Sequence, residues 1–238
     1  MELDPGTVSI IQLAWSRLLG LDDGTIAEGS DRLYSIDDDA PVLTFVTLFG
    51  REVLRGPGWA IDAGRSMSGT ELRSHSTLLT LSREHGGRGL GEAQLYFCDD
   101  LPRFEGPPAV VSGEASLVRE LERRCPPDDV AEAGLAAVDH PFVLVDEGAD
   151  PDARPTPLAG AGYDIWQGIL AHIAVITPPE ERRKGYAGRV AAVAVEDAMA
   201  AGLVPQWRAR TDNTASQRTA RRAGFAFAGT QTSVLLGA

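Results

Sequence analysis

Apolar and polar positions alternate along the chain in runs that change period several times. Thr7 to Leu19 places Ile10, Ile11, Leu13, Ala14, Trp15, Leu18 and Leu19 on one broad side, which predicts a helix capped by Thr7 or Ser9. Leu21 to Asp31 is acidic and bears glycine, so it reads as a loop. Pro41 to Phe49 reads as a strand, with Arg51 to Leu54 as its continuation or as a partner across Gly50. Thr70 to Arg83 has helical spacing, and Ala93 to Cys98 is a strand. Further on, the pattern predicts a short strand at Ala109 to Ser112 and helices at Ala115 to Arg124 and Asp128 to Leu135. Strands follow at Phe142 to Val145, Leu158 to Trp166 and Ile169 to Ile176, the second joined to the first by an acidic, proline-bearing loop from Asp146 to Pro157. A helix over 187–201, a strand at Gln206 to Arg210, a helix over 214–222, and strands around Phe225 and at Thr232 to Leu236 complete the order. The fold class is therefore α/β, an α+β arrangement on a mixed sheet.

The stretch from Ile169 to Ala201 organises the rest. Ile169 to Ile176 is apolar apart from His172 and rich in β-branched residues, as a buried strand is. Pro178 and Pro179 end it. Arg182, Arg183, Lys184, Gly185, Tyr186, Ala187 and Gly188 follow, then an alanine- and valine-rich helix whose solvent stripe is marked by Arg189 and Glu196. Gly202 stands where a left-handed C-terminal cap belongs, with Pro205 beyond it. A loop that opens into a helix presents unpaired N–H groups and the positive end of the helix dipole. Three cationic side chains stand at the same place, so the segment suits an anion, and a diphosphate above all.

At these residues the chain resembles the GNAT superfamily, the acyl-CoA-dependent N-acyltransferases. The family pattern of Arg or Gln, two residues, Gly, one residue, then Gly or Ala is met by Arg182, Gly185 and Ala187. A second piece agrees: Asn213, Ser216, Gly224 and Phe225 match the family's Asn, short helix and Gly-Phe. Asp212 or Asn213 caps that helix. One position departs, because Ala220 stands where many members carry a Tyr that protonates the departing sulfur. The resemblance covers about residues 107–238, and the element order there is the family's. It implies a GNAT-like acyl-CoA N-acyltransferase fold in that part, preceded by a smaller α/β domain over 1–106, read as accessory or as a degenerate GNAT-like half. Phe104 to Pro108, with its Gly-Pro-Pro break, marks the boundary.

The resemblance further implies acetyl-CoA as cofactor and an amine as acceptor. Ile173, Val175 and Ile176 of the central strand match the segment that contacts the pantetheine arm. Arg182 to Gly188 match the diphosphate loop, and Asn213 and Ser216 the region near the pantetheine or adenosine end. For the base, His172 and Tyr163 are the candidates, with Asp164, Glu180 or a water chain as alternatives; an imidazole accepts protons near neutral pH. A catalytically degraded, CoA-binding sensor or scaffold is the second reading, motivated by Ala220. An unrelated nucleotide-phosphate binder using the same loop is the third.

Composition narrows the partners. Residues 171–238 hold nine Lys and Arg against five Asp and Glu, within a chain of net charge −12. A basic segment in an acidic protein suits a small anionic cofactor and disfavours nucleic acid. The acidic remainder suits a cationic amine. No apolar run of transmembrane length or leader is visible, so the expectation is a cytoplasmic monomer or homodimer without membrane or metal. Cys98 and Cys125 have no metal-ligand or disulfide-framework spacing and read as buried free thiols. Gly86 to Gly91 looks like a dinucleotide fingerprint, but the strand follows it, so it reads as a mobile loop. His75 and His85 read as surface residues, and Trp166 and Trp207 as packing.

Overall fold

The computed structural model describes residues 2–102, 110–146 and 155–237. In chain order the elements are α1 (Pro5–Leu18), β1 (Leu33–Ile36), β2 (Val42–Leu48), β3 (Arg51–Gly56), α2 (Gly58–Gly64), α3 (Gly69–Arg73), α4 (His75–Leu81), β4 (Arg88–Phe97), β5 (Val111–Ser112), α5 (Ala115–Arg123), α6 (Pro127–Ala133), β6 (His140–Asp146), β7 (Thr156–Trp166), β8 (Leu170–Ile176), α7 (Tyr186–Ala200), β9 (Val204–Arg210), α8 (Thr214–Arg222) and β10 (Ala226–Leu235). The mixed α/β class is as the pattern predicts. The expected boundary at Phe104 to Pro108 and most of the loop from Asp146 to Pro157 lie outside the described residues.

The chain forms two compact units. One holds Glu2–Tyr96 with Arg208–Gln217 and Phe227–Ala238. Its strands run β1-β3-β2-β10-β4. β1 lies parallel to β3, whereas β2 is antiparallel to both β3 and β10. Leu43, Phe45 and Leu54 share one sheet face and pack with Ala60, Ile61, Leu72, Leu78 and Val234. Several details differ from the sequence pattern. Asp4, not Thr7 or Ser9, caps α1, its carboxylate accepting from the Gly6 amide at 2.8 Å. The single helix expected over 70–83 is two helices, because Ser74 is extended and the His75 amide donates to Glu92. β4 begins at Arg88, so most of the expected glycine loop is strand. β1 and α2 carry short, mixed patterns with no clear period, and the pattern did not predict them. Phe225 precedes β10, which is one strand rather than two.

The other unit holds Phe97–Trp207 with Arg218–Ala226. Its strands run β9-β8-β7-β6-β5. β7 is antiparallel to β6 and β8, and β8 is parallel to β9. α7 packs on β6, β7 and β8, burying Val190, Ala191, Ala194, Val195 and Ala198. Its small side chains bring the helix close to the sheet. The opposite face is covered by α5, α6 and the 3-10 turn Leu135–Ala137, through a core of Leu117, Leu121, Leu135, Val143 and Ile176. That cover needs glycine: a Cβ on Gly160 would stand 2.3 Å from Leu135, and one on Gly162 2.6 Å from Val138. Overpacking of this kind costs about 1–3 kcal/mol.

Candidate functional site

The site is built from the end of β8 and the start of α7. β8 pairs with β7 along its whole length, from Leu170 opposite Trp166 to Ile176 opposite Gly160. Its ladder with β9 is shorter and ends at Ile173 opposite Trp207. Among the described residues, Ala174, Val175 and Ile176 therefore have strand partners on one side only. Ile173 and Ile176 are buried, and Val175 is half-buried. The polar backbone of such a segment calls for another partner on its unpaired side.

Beyond Ile176 a 3-10 turn at Pro179–Glu181 leads to Arg182 in an extended conformation. Arg183 and Gly185 then take left-handed φ values of 65° and 86°. Gly185 is the N-cap residue of α7, and no side chain caps the helix. Its carbonyl accepts from the Arg189 amide at 3.2 Å, so the helix begins there. The amides of Tyr186, Ala187 and Gly188 belong to the first turn, which has no intrahelical acceptor to offer them. A Cβ on Gly185 would meet no heavy atom within 4 Å, so the loop is open on that side. The other end of α7 closes as expected, with Leu203 N–H on Ala198 at 3.0 Å and Gly202 N–H on Met199 at 2.9 Å.

The three cations of the loop are not equivalent. Arg182 donates through Nε to the Thr177 carbonyl at 3.1 Å and forms an ion pair with Asp129 on α6. Lys184 pairs with Glu181 at 2.8 Å, and that hydrogen bond holds its ammonium above the ordinary lysine range. Arg124 engages Glu180 at 2.9 Å and Glu181 at 3.3 Å. Arg183 is exposed and has no ion pair among the described residues. The loop is thus a neutralising network around an uncapped helix start, rather than three unopposed positive charges. Asp129, 53 residues before Arg182, was not singled out by the sequence. No local spacing signals a partner at that distance.

The two candidate bases occupy opposite faces of the sheet. Tyr163 is paired with Ile173, and His172 with Asp164, one position along each strand. Side chains alternate, so the pairs point to opposite sides. Tyr163 lies on the α7 side, fully buried, donating its hydroxyl to Asp197 at 2.6 Å and stacked on His140 at 4.5 Å. Burial first, then the hydrogen bond to Asp197, pushes the phenol above its ordinary range. His172 lies on the other side, half-buried, stacked on Trp166 at 4.1 Å, with Nδ1 3.3 Å from Nε2 of Gln206. The structure does not bring His172 and Tyr163 together.

Asn213 and Ser216 sit at the start of α8, in the unit that contains β2 and β10. The Asn213 side chain caps that helix, Oδ1 accepting from the Ser216 amide at 3.0 Å. Gly224 ends it, with Phe225 N–H on the Ala220 carbonyl at 3.0 Å. Ala220 is fully buried and brings no acidic hydroxyl to the position. Both cysteines are free; Cys98 is buried and Cys125 half-buried. Burial pushes their thiols up to about 12 and about 11. An open depression of about 620 Å³ lies at α5 and α6, beside Arg119, Arg123 and Cys125, and includes none of the expected site residues. Among the described residues, no helix is long and apolar enough to cross a membrane.

Fold and loop together define a mixed α/β protein whose parallel strand pair stops short beside an uncapped, glycine-led helix start. Residues 164–233 match the family model described as GNAT acetyltransferase. That match takes in β8, the loop, α7, β9 and α8, and it supports assignment of the chain to the GNAT superfamily. A search of curated proteins found no match. Among solved structures, a GNAT-family acetyltransferase from Colwellia psychrerythraea is 17% identical, with a TM-score of 0.46 over 67% of this chain and 61% of its own. A GCN5-related N-acetyltransferase from Kribbella flavida is 21% identical, with a TM-score of 0.45 over 68% and 64%. A Drosophila protein at 11% identity reaches a TM-score of 0.50 over 68% and 57%, a likeness of fold. The chain thus spans less than two thirds of each of these three.

Proposed function

We propose that this protein transfers an acetyl group from acetyl-CoA to an amine. The GNAT family implies acyl transfer from acyl-CoA in general; acetyl as the group, and an amine as its acceptor, are the finer reading. The observation that carries it is the uncapped start of α7 at Gly185, reached by one loop from a strand whose last three residues lack a β9 partner among the described residues. The residues present suit the cofactor. Amides of Tyr186, Ala187 and Gly188 would hold the diphosphate, with Arg183, and Arg182 and Lys184 after exchange of their carboxylate partners, around it. Ile173, Val175 and Ile176 would offer their backbone to the pantetheine amides.

When bound, acetyl-CoA supplies an activated acyl carbon and a thiolate leaving group. His172, next to the residue where the β9 ladder ends, would take a proton from the acceptor ammonium. The amine so freed would take the acyl group in exchange for the C–S bond, and its second proton would leave with the thiolate. Tyr163 is left out of that chemistry, since its hydroxyl is committed to Asp197 on the other face. Two free thiols accord with a reducing compartment, and we assign the protein to the cytoplasm.

Calorimetric titration with acetyl-CoA, against succinyl-CoA, ATP and NAD, tests the reading. Selective acetyl-CoA binding, followed by thiol release with an amine panel, is the expected result. Equal binding of ATP, or no binding at all, would overturn it.

A further inference from the structure

The face of the sheet that carries His172 holds a carboxylate that no side chain among the described residues engages. Asp164 stands directly across from His172 in the β7–β8 ladder. Side chains so placed have their Cβ atoms about 4.5–5.5 Å apart. Asp164 is half-buried, and among the described residues no hydrogen bond or ion pair engages it. Two residues further along β7 on the same face, Trp166 stacks on the His172 ring with centroids 4.1 Å apart and planes inclined by 23°. The Gln206 side chain flanks the imidazole from β9. The tight turn at Gln167 and Gly168, both at left-handed φ, fixes Trp166 at the hairpin end.

Cover of this face stops just short of the group. Gly162 lies under Val138 and Leu135, and Asp164 is the next residue on that side. A half-buried carboxylate that no described residue engages is open to a cation. Beside it lie one indole and one imidazole ring. The net charge of −12 draws cations toward the protein.

We infer that Asp164 and Trp166 form the acceptor subsite, and that its ligand is a primary alkylammonium. The carboxylate binds the ammonium by a charge-assisted hydrogen bond, and the indole takes its adjoining methylenes and part of its charge. Asp164 is thereby a specificity residue: it selects amines that arrive protonated and sets them beside His172. The inference rests on the acyl-transfer reading for the fate of the amine, but not for its binding.

The test is a titration of n-butylammonium followed by tryptophan fluorescence, with Trp166→Phe identifying the signal. It is paired with acetyl-CoA calorimetry and with KM for an alkylamine and for aniline, which is neutral at pH 7. Asp164→Asn keeps shape and removes charge. It is expected to weaken alkylammonium binding and raise its KM about tenfold, with a much smaller effect on the KM for aniline. Trp166→Leu is expected to weaken alkylammonium binding about threefold. Equal affinity of Asp164→Asn and wild type for alkylammonium, or an equal effect on aniline, overturns the inference. Loss of alkylammonium binding in Asp164→Asn, in a protein that does not bind acetyl-CoA, upholds the subsite and overturns acyl transfer.

Discussion

Two helices of this protein begin in opposite ways. α8 is started by Asn213, whose side chain accepts from the Ser216 amide and so satisfies one of the unpaired donors. α7 is started by Gly185, which has no side chain to spend, and no neighbour substitutes for it. The first arrangement stabilises a helix. The second leaves donors available to a ligand and surrounds them with cations held in reserve on Asp129 and Glu181. Both starts were legible in the sequence, one as a capped helix and the other as a loop opening into a helix, and they imply different work, because stability and anion binding compete for the same N–H groups.

The sharpest way to break the comparison is Gly185→Glu. It places a carboxylate at the helix start and forces a side chain into a left-handed backbone, and acetyl-CoA affinity is expected to fall at least ~100-fold by calorimetry. An unchanged affinity would make the two helix starts equivalent. Arg182→Ala comes next, with a loss of roughly fivefold in affinity, since the guanidinium must leave Asp129 to meet a phosphate. Asn213→Ala should act on the fold: urea unfolding is expected to show a loss of about 1 kcal/mol. Its effect on acetyl-CoA affinity is expected to stay well below that of Gly185→Glu.

The smallest effect is expected at the far end of α7. Burial and Asp197 raise the Tyr163 phenol, so the folded state holds that proton more tightly than the unfolded chain does. The resulting stability is fully present below the unfolded tyrosine value of about 10 and is lost as pH rises above it. Tyr163→Phe should remove that part of the alkaline loss, seen by comparing unfolding curves near pH ~8 and ~11. The same variant is expected to leave kcat and KM within about twofold of wild type. A large fall in kcat would restore Tyr163 to the chemistry.

Local sequence carried much of this. The apolar run into Pro178 and Pro179, the glycine-bearing basic loop, the alanine-rich helix and Gly202 at its end each act over a few residues. Strand end, helix start and helix cap are decided at that range, so β8 and α7 lie where the pattern put them. The asparagine before α8 and the glycine after it are local in the same sense.

Tertiary structure decided what depends on register and on distant segments. Arg182 finds Asp129 and Arg124 finds Glu180 across more than fifty residues, so the loop's charge is set by how α5 and α6 pack. β10 pairs with β2, Thr232 opposite Phe45, a partnership no nearby residue announces. His172 and Tyr163 both read as strand residues near the site, but pairing of Asp164 with His172 and of Tyr163 with Ile173 sends them to opposite faces. A one-residue shift of register would exchange the faces, and hydrophobic pattern fixes register only once both layers of helices are in place. The sequence by itself determined the glycine-led, basic start of α7, because a helix start is made by its own residues. Only the folded sheet decided which side chains share the face of His172 and which share that of Tyr163.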